Sequence, residues 1–179
     1  MRAHLLFVAV LLAACGQPAS TTSTATAPDM TATASTASAG DPMTTGLMGG
    51  MSTTAAGEVA ALTVAADALA FSDADGEETF SAPTTYLSVA DASSQIAAGG
   101  DTFAGAAASS TPDVRVELRR LTAPVNPRFC GEGIAATHVA LVHAEPMTAL
   151  TLVVFSGADA PGPSARDSAV CATYLYGVD

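Results

Sequence analysis

The chain has no lysine and no tryptophan, and six arginines stand against seventeen aspartates and glutamates. A net charge of −11 built in this way argues against binding nucleic acid or anionic lipid headgroups, because the phosphate-driven part of both needs clustered Lys or Arg. Without lysine there is no Gly-rich phosphate loop ending in Lys, and no Gly-x-Ser-x-Gly elbow occurs, so nucleotide use and serine-based hydrolysis lack motif support. The missing tryptophan removes one stacking platform for carbohydrate; Tyr174 and Tyr176 remain, and they alternate onto one strand face, as core residues also do. A long apolar run is missing too. The longest, Leu5 to Leu12, falls short of the roughly 20 residues that a membrane-spanning helix needs, even when extended through Ala14.

Arg2 and His4 precede that run, which gives the charged start and short apolar middle of a secretory signal. The residues Leu12-Ala13-Ala14-Cys15-Gly16 resemble the lipobox of bacterial lipoproteins, a match confined to the first sixteen residues. The resemblance implies a signal peptide over 1–14, lipidation of the Cys15 thiol and a mature chain that begins at Cys15. Two or three acyl chains at one terminus exceed the two-signal threshold for stable membrane anchoring. Gly16, where an inner-membrane retention signal would have Asp, favours the outer membrane of the bacterial envelope, facing the periplasm. Loss of Arg2 brings the mature net charge to about −12.

With Cys15 consumed by lipid, Cys130 and Cys171 remain as an even pair, and an oxidising compartment predicts one disulfide between them. A catalytic dyad of Cys130 with His138 would need that thiol free, and neither residue has the context of a known cysteine hydrolase. From Gln17 to Gly57 the chain is largely Ala, Ser and Thr with no aromatic residue, too polar to bury a core, so residues 15–57 are expected to form a lipid-anchored, disordered linker. As a flexible coil it would span roughly 35 Å. The aromatics of the mature chain all lie beyond it, which predicts one globular domain over 58–179.

Within that domain, Val114 to Arg119 alternates strictly, with Val114, Val116 and Leu118 on one face and charges on the other. Ala149 to Ser156 is apolar on both faces and reads as a buried central strand, and Thr137 to Ala144 should turn back onto it through Glu145–Thr148. Val170 to Tyr176 is the last strand. Ala61–Val64, Ala68–Phe71, Glu78–Ser81 and Thr85–Val89 are shorter candidates, and Asp91–Gly99 is the one predicted helix, with Asp91 as its cap. Many short strands without a βαβ rhythm predict a mainly β fold, a small antiparallel β-barrel or sandwich with at most one short helix.

Candidate sites are few. Asp73, Asp75, Glu77 and Glu78 crowd one segment, but Gly76 and Thr84 fall out of register for a calcium loop, which leaves a solvated hairpin turn. His138 and His143 lie an odd number of residues apart, so a strand sends them to opposite faces and they cannot share a metal. No catalytic residue, cofactor or metal is assigned. Arg115, Arg119, Arg120 and Arg128 cluster in an otherwise acidic chain; they form either an ion-paired solvent face around Glu117 or a patch facing a partner. The expected function is a non-enzymatic binding or structural module on a tether, with an envelope protein as its partner. The alternatives are an envelope hydrolase whose site is assembled from separated residues, or an enzyme inhibitor: a small disulfide-bonded periplasmic β-domain is similar in general shape to the membrane-bound lysozyme inhibitors, and acidic charge would suit a basic target.

Overall fold

The computed structural model describes residues 41–53, 55, 57–109, 113–123 and 129–177. Cys15, the expected signal, the expected linker up to residue 40 and Arg128 lie outside them. Eight strands follow one another: β1 (Leu47–Gly50), β2 (Ala61–Val64), β3 (Ala68–Ser72), β4 (Glu78–Asp91), β5 (Val114–Leu121), β6 (Ala136–Ala144), β7 (Ala149–Ser156) and β8 (Ala169–Gly177). Each pairs antiparallel with the next, and β8 returns to β1, so the sheet closes into an up-and-down barrel. The mainly β expectation holds, with the barrel rather than the sandwich as its form. Among the described residues the helical pieces are α1 (Phe103–Ala106) and a 3-10 turn at Gly57–Val59.

Two hydrophobic clusters explain the closure. The first draws residues from every strand, including Met48, Leu62, Phe71, Ala82, Leu121, Leu141, Leu152 and Tyr176, and therefore fills the lumen. The second joins Val116, Leu118, Ala140, Val142, Val153 and Phe155, on the outer faces of β5–β7, to Ala92, Ile96 and Phe103 from the long β4–β5 connection. That connection runs back over the barrel wall as a strap, held by Ala98 N–H to the Ala165 carbonyl (3.1 Å) and Gly162 N–H to the Ile96 carbonyl (2.9 Å). A barrel wall covered on both sides needs strands that are apolar on both faces, as β7 is.

Three expectations change. First, residues 91–99 form turns, not a helix: the Asp91 carboxylate accepts from both the Ser93 backbone and hydroxyl, a local turn that competes with helix initiation. The helix starts later, where Thr102 caps α1 through Gly105 N–H (3.1 Å). Second, Glu78–Ser81 and Thr85–Val89 belong to one strand. It passes through Pro83 because β4 changes partner there, from β3 (Ala68↔Pro83) to β5 (Thr84↔Leu121), and no ladder bond is asked of the proline nitrogen. Third, β1 comes from within the segment expected to be linker. Its glycines carry little strand propensity, yet Gly50 is required, since a Cβ there would stand 2.5 Å from the Ala55 carbonyl oxygen.

Candidate functional site

The alternating strands place β1–β2, β3–β4, β5–β6 and β7–β8 connections at one end of the barrel, and the entry to β1, the β2–β3 turn and the strap's origin at the other. At the first end, Phe129 from the β5–β6 connection sits in the lumen against Phe71 (centroids 5.2 Å apart, edge-on) and Tyr174 (5.9 Å, stacked). Its neighbour Cys130 is disulfide-bonded to Cys171 of β8, as the even pair predicts. Tyr174 donates its hydroxyl to the Phe129 carbonyl (2.9 Å), and Tyr176 donates to the Val59 carbonyl (3.2 Å). Burial holds both phenols above their ordinary pKa, with the neighbouring Tyr174 adding to the effect on Tyr176. The two tyrosines are thus inward-facing core groups that tie down loops.

At the opposite end the chemistry is polar. Glu117 and Arg119 of β5 point into the lumen, both fully buried, with Arg119 Nε 2.6 Å from Glu117 Oε1. Arg119 Nη1 donates to the Ala65 carbonyl and, at 3.4 Å, approaches Thr84 Oγ1. Its Nη2 donates to the Met43 carbonyl (2.6 Å), while Met43 N–H donates to Glu117 Oε2 (2.8 Å). The ion pair therefore grips one backbone unit of the segment leading into β1. Such a pair is tolerated inside a protein only when the remaining donors and acceptors are satisfied, and the Met43 and Ala65 backbones do this. Tyr86, cross-strand from Arg119, has a buried hydroxyl with no hydrogen-bond partner among the described residues.

This corrects the reading of the arginine cluster. The apolar face of β5 is its outer face, under the strap, and the charged face is inward. Strict alternation says that two faces differ and does not say which one the lumen takes. Arg119 thus leaves any partner-facing surface. Arg115 lies at the rim, 3.8 Å from Glu145, and Arg120 is exposed on the outer wall opposite His138. Arg128 lies outside the described residues; the other three go to the lumen, the rim and the outer wall and form no single patch. Glu117 as a buried partner and Met43 as its cargo were not legible; the one signal available was a Glu placed two residues from two arginines.

The histidines go to opposite sides. His143 pairs with Arg115 and with the lumenal Leu150; His138 pairs with Arg120 and with the outer Phe155. Burial, helped by the Arg120 charge, holds His138 below the ordinary value of 6.5. In the β3–β4 turn the Asp73 carboxylate accepts from Asp75 N–H and Glu77 N–H, both at 3.0 Å, and Gly76 takes the positive φ (83°) that the turn requires. Those carboxylates build a turn. Among the described residues no group of three or more His, Cys, Asp or Glu side chains is placed to hold a metal.

A cavity of about 420 Å³ lies outside the barrel, on the outer wall of β6–β8 beside the end of α1. Val142, Leu175 and Ala107 supply its apolar surface, and Thr148, Thr151 and Thr173 bring hydroxyls. Ser52, Ser109 and His143 also line it, and the His143 Nδ1 lies 3.1 Å from the Ala144 carbonyl oxygen; an apolar wall with a few polar groups is the usual lining of a recognition site. Compared with protein-family models, with curated proteins and with solved structures, the chain finds no match in any of the three.

Proposed function

We propose that this protein is a lipid-anchored module of the bacterial envelope that works by binding through its outer surface, not by catalysis. The lipobox-like residues around Cys15 support the anchor, and Gly16 supports the outer membrane as its address. The Cys130–Cys171 disulfide suits an oxidising compartment. The observation that carries the binding reading is the filled lumen. Small barrels that act on or carry a ligand hold it in the lumen or its mouth, and here aromatic rings occupy one end and an ion pair with its own backbone cargo occupies the other. Recognition is left to the outer wall and the loops.

An enzyme-inhibitor role is the second reading, favoured by the closed disulfide-bonded barrel and an acidic chain that suits a basic enzyme. In-cell crosslinking of the anchored protein, followed by identification of what is captured, tests both. One recurrent envelope protein lost in the Cys15→Ser variant, which should also leave the membrane fraction, is the expected result. A basic muramidase as that partner would select the inhibitor reading. Membrane retention of the Cys15→Ser variant would overturn the anchor, and capture of no recurrent protein would overturn the binding role.

A further inference from the structure

The Glu117–Arg119 pair makes a contact whose form is that of a receptor. Glu117 accepts one backbone N–H and Arg119 donates to one backbone C=O of the same residue, Met43. Nothing in those two bonds depends on the Met43 side chain. The rest of the segment is held in the same manner: Thr45 N–H donates to the Val64 carbonyl (2.8 Å), and Val64 N–H donates to Thr45 Oγ1 (3.0 Å). β1 then pairs with β2 from Leu47 to Gly49 and with β8 through Gly49 and Gly50. Of its four residues only Met48 is buried, while Leu47 is 59% exposed. Residues 41–50 are thus a segment ending in β1 and laid into a slot at β2 and β8, held by backbone bonds, by the Met43 and Met48 side chains packed on the core, and by a buried charge pair at one point.

Strand addition works on these terms, with affinity from main-chain bonds and selectivity from a few side-chain pockets. Here the side chains taken in are Met48, fully buried, and Met43, partly buried against the same core. A strand so held as the first of the barrel, joined to β2 through the ten residues 51–60, is suited to exchange between copies. We infer that the slot for residues 41–50 is a peptide-binding site that also accepts the same segment of a second copy of this chain, so that two copies complete each other's barrels. Each slot would keep the contacts seen here, with the Met43 backbone of the other copy on Glu117 and Arg119. The inference does not depend on the identity of any envelope partner or on the lipid anchor, and its test reads neither.

A fluorescent synthetic peptide of residues 41–51 serves as the probe, with the purified full chain as receptor. In the wild-type chain the probe competes with a covalently attached segment at millimolar effective concentration. A full chain carrying Met43→Pro, which loses the N–H that Glu117 accepts, should release its own segment and bind the probe about tenfold or more tightly than wild type does. A probe that itself carries Met43→Pro should bind that variant about tenfold more weakly than the native probe, the scale of one hydrogen bond to a charged group. Because this last change is in the peptide, it cannot be confused with misfolding of the receptor. Binding that ignores the proline in the probe, or no binding to either chain, would overturn the site. Two differently tagged wild-type chains should co-purify after mixing and warming, and excess native peptide should separate them. Chains that stay monomeric at every concentration would overturn the second copy as donor.

Discussion

The two ends of the barrel solve one problem with opposite chemistries. A small barrel must stop water from entering its lumen. At the end capped by the β5–β6 connection this is done with aromatic surface: Phe129 packs against Phe71, Phe80 and Tyr174, and the disulfide keeps its loop from leaving. At the end where the chain enters β1, the closing segment brings Met43 and Met48 to the core and is held at its Met43 backbone by Glu117 and Arg119. Apolar burial is insensitive to geometry and loses stability in proportion to lost area. A buried ion pair depends on every partner, and removing one leaves an uncompensated charge. The first end is therefore built to stay shut, and the second is built to hold one particular strand.

The strongest way to break this contrast is Arg119→Met. It strands Glu117 in the lumen and deprives the Met43 and Ala65 carbonyls of their donor, so the loss should lie toward the upper end of about 3–5 kcal/mol in chemical denaturation. Adding Glu117→Gln to it removes both charges while still offering an acceptor to Met43 N–H, and should restore more than half of that loss. A double variant no better than the single would mean that the pair is not the source of the effect. Hydrogen exchange should show residues 41–50 loosened in Arg119→Met, with the Phe129 end protected as before.

Next comes the disulfide. Cys130 and Cys171 close a loop with a sequence separation of 41, which in the chain-entropy model is worth about 4 kcal/mol. Replacing both with Ser, or adding reductant, should lower stability by up to that amount and raise exchange around Phe129, leaving the Met43 clamp in place. Two free thiols in the isolated oxidised protein, read by intact mass, would remove the staple altogether. If both lesions loosened both ends equally, the barrel would be a single cooperative unit and the contrast between its ends would not extend to energetics.

Legibility followed the same division. β6, β7 and β8 and the disulfide could be read because β-branched and aromatic runs and an even cysteine count are local signals. The polar end could not, because each of its parts looks ordinary alone. β1 hides in a Gly- and Met-bearing stretch of low strand propensity and becomes a strand only because β2 and β8 flank it. β5 displays a correct alternation whose inward face is set by the strap: Ile96 and Phe103 need an apolar wall, Val116 and Leu118 provide it, and Glu117 and Arg119 are thereby turned inside. That assignment joins residues about twenty positions apart in sequence through a connection with no regular periodicity, and pattern reading has no access to it.

The smallest expected effect concerns the wall between the ends. His138 is buried on the outer face beside Arg120, and both burial and that charge depress its pKa from 6.5. As pH falls below about 6.5 the unfolded chain takes up a proton at this position before the folded chain does, so stability declines in that window. The carboxylates behave differently. Asp159, held low chiefly by backbone N–H bonds from Arg166 and Asp167, and Asp91, held low by Ser93, contribute stability that is lost only below the ordinary value of 3.8. The two windows are separate. Denaturation midpoints between pH 8 and pH 5 should therefore slope downward in the wild type and flatten in His138→Gln, whereas the fall below pH 4 should persist in both. An unchanged slope in His138→Gln would place the titrating group elsewhere and would leave the outer wall without a pH-sensitive element at this position.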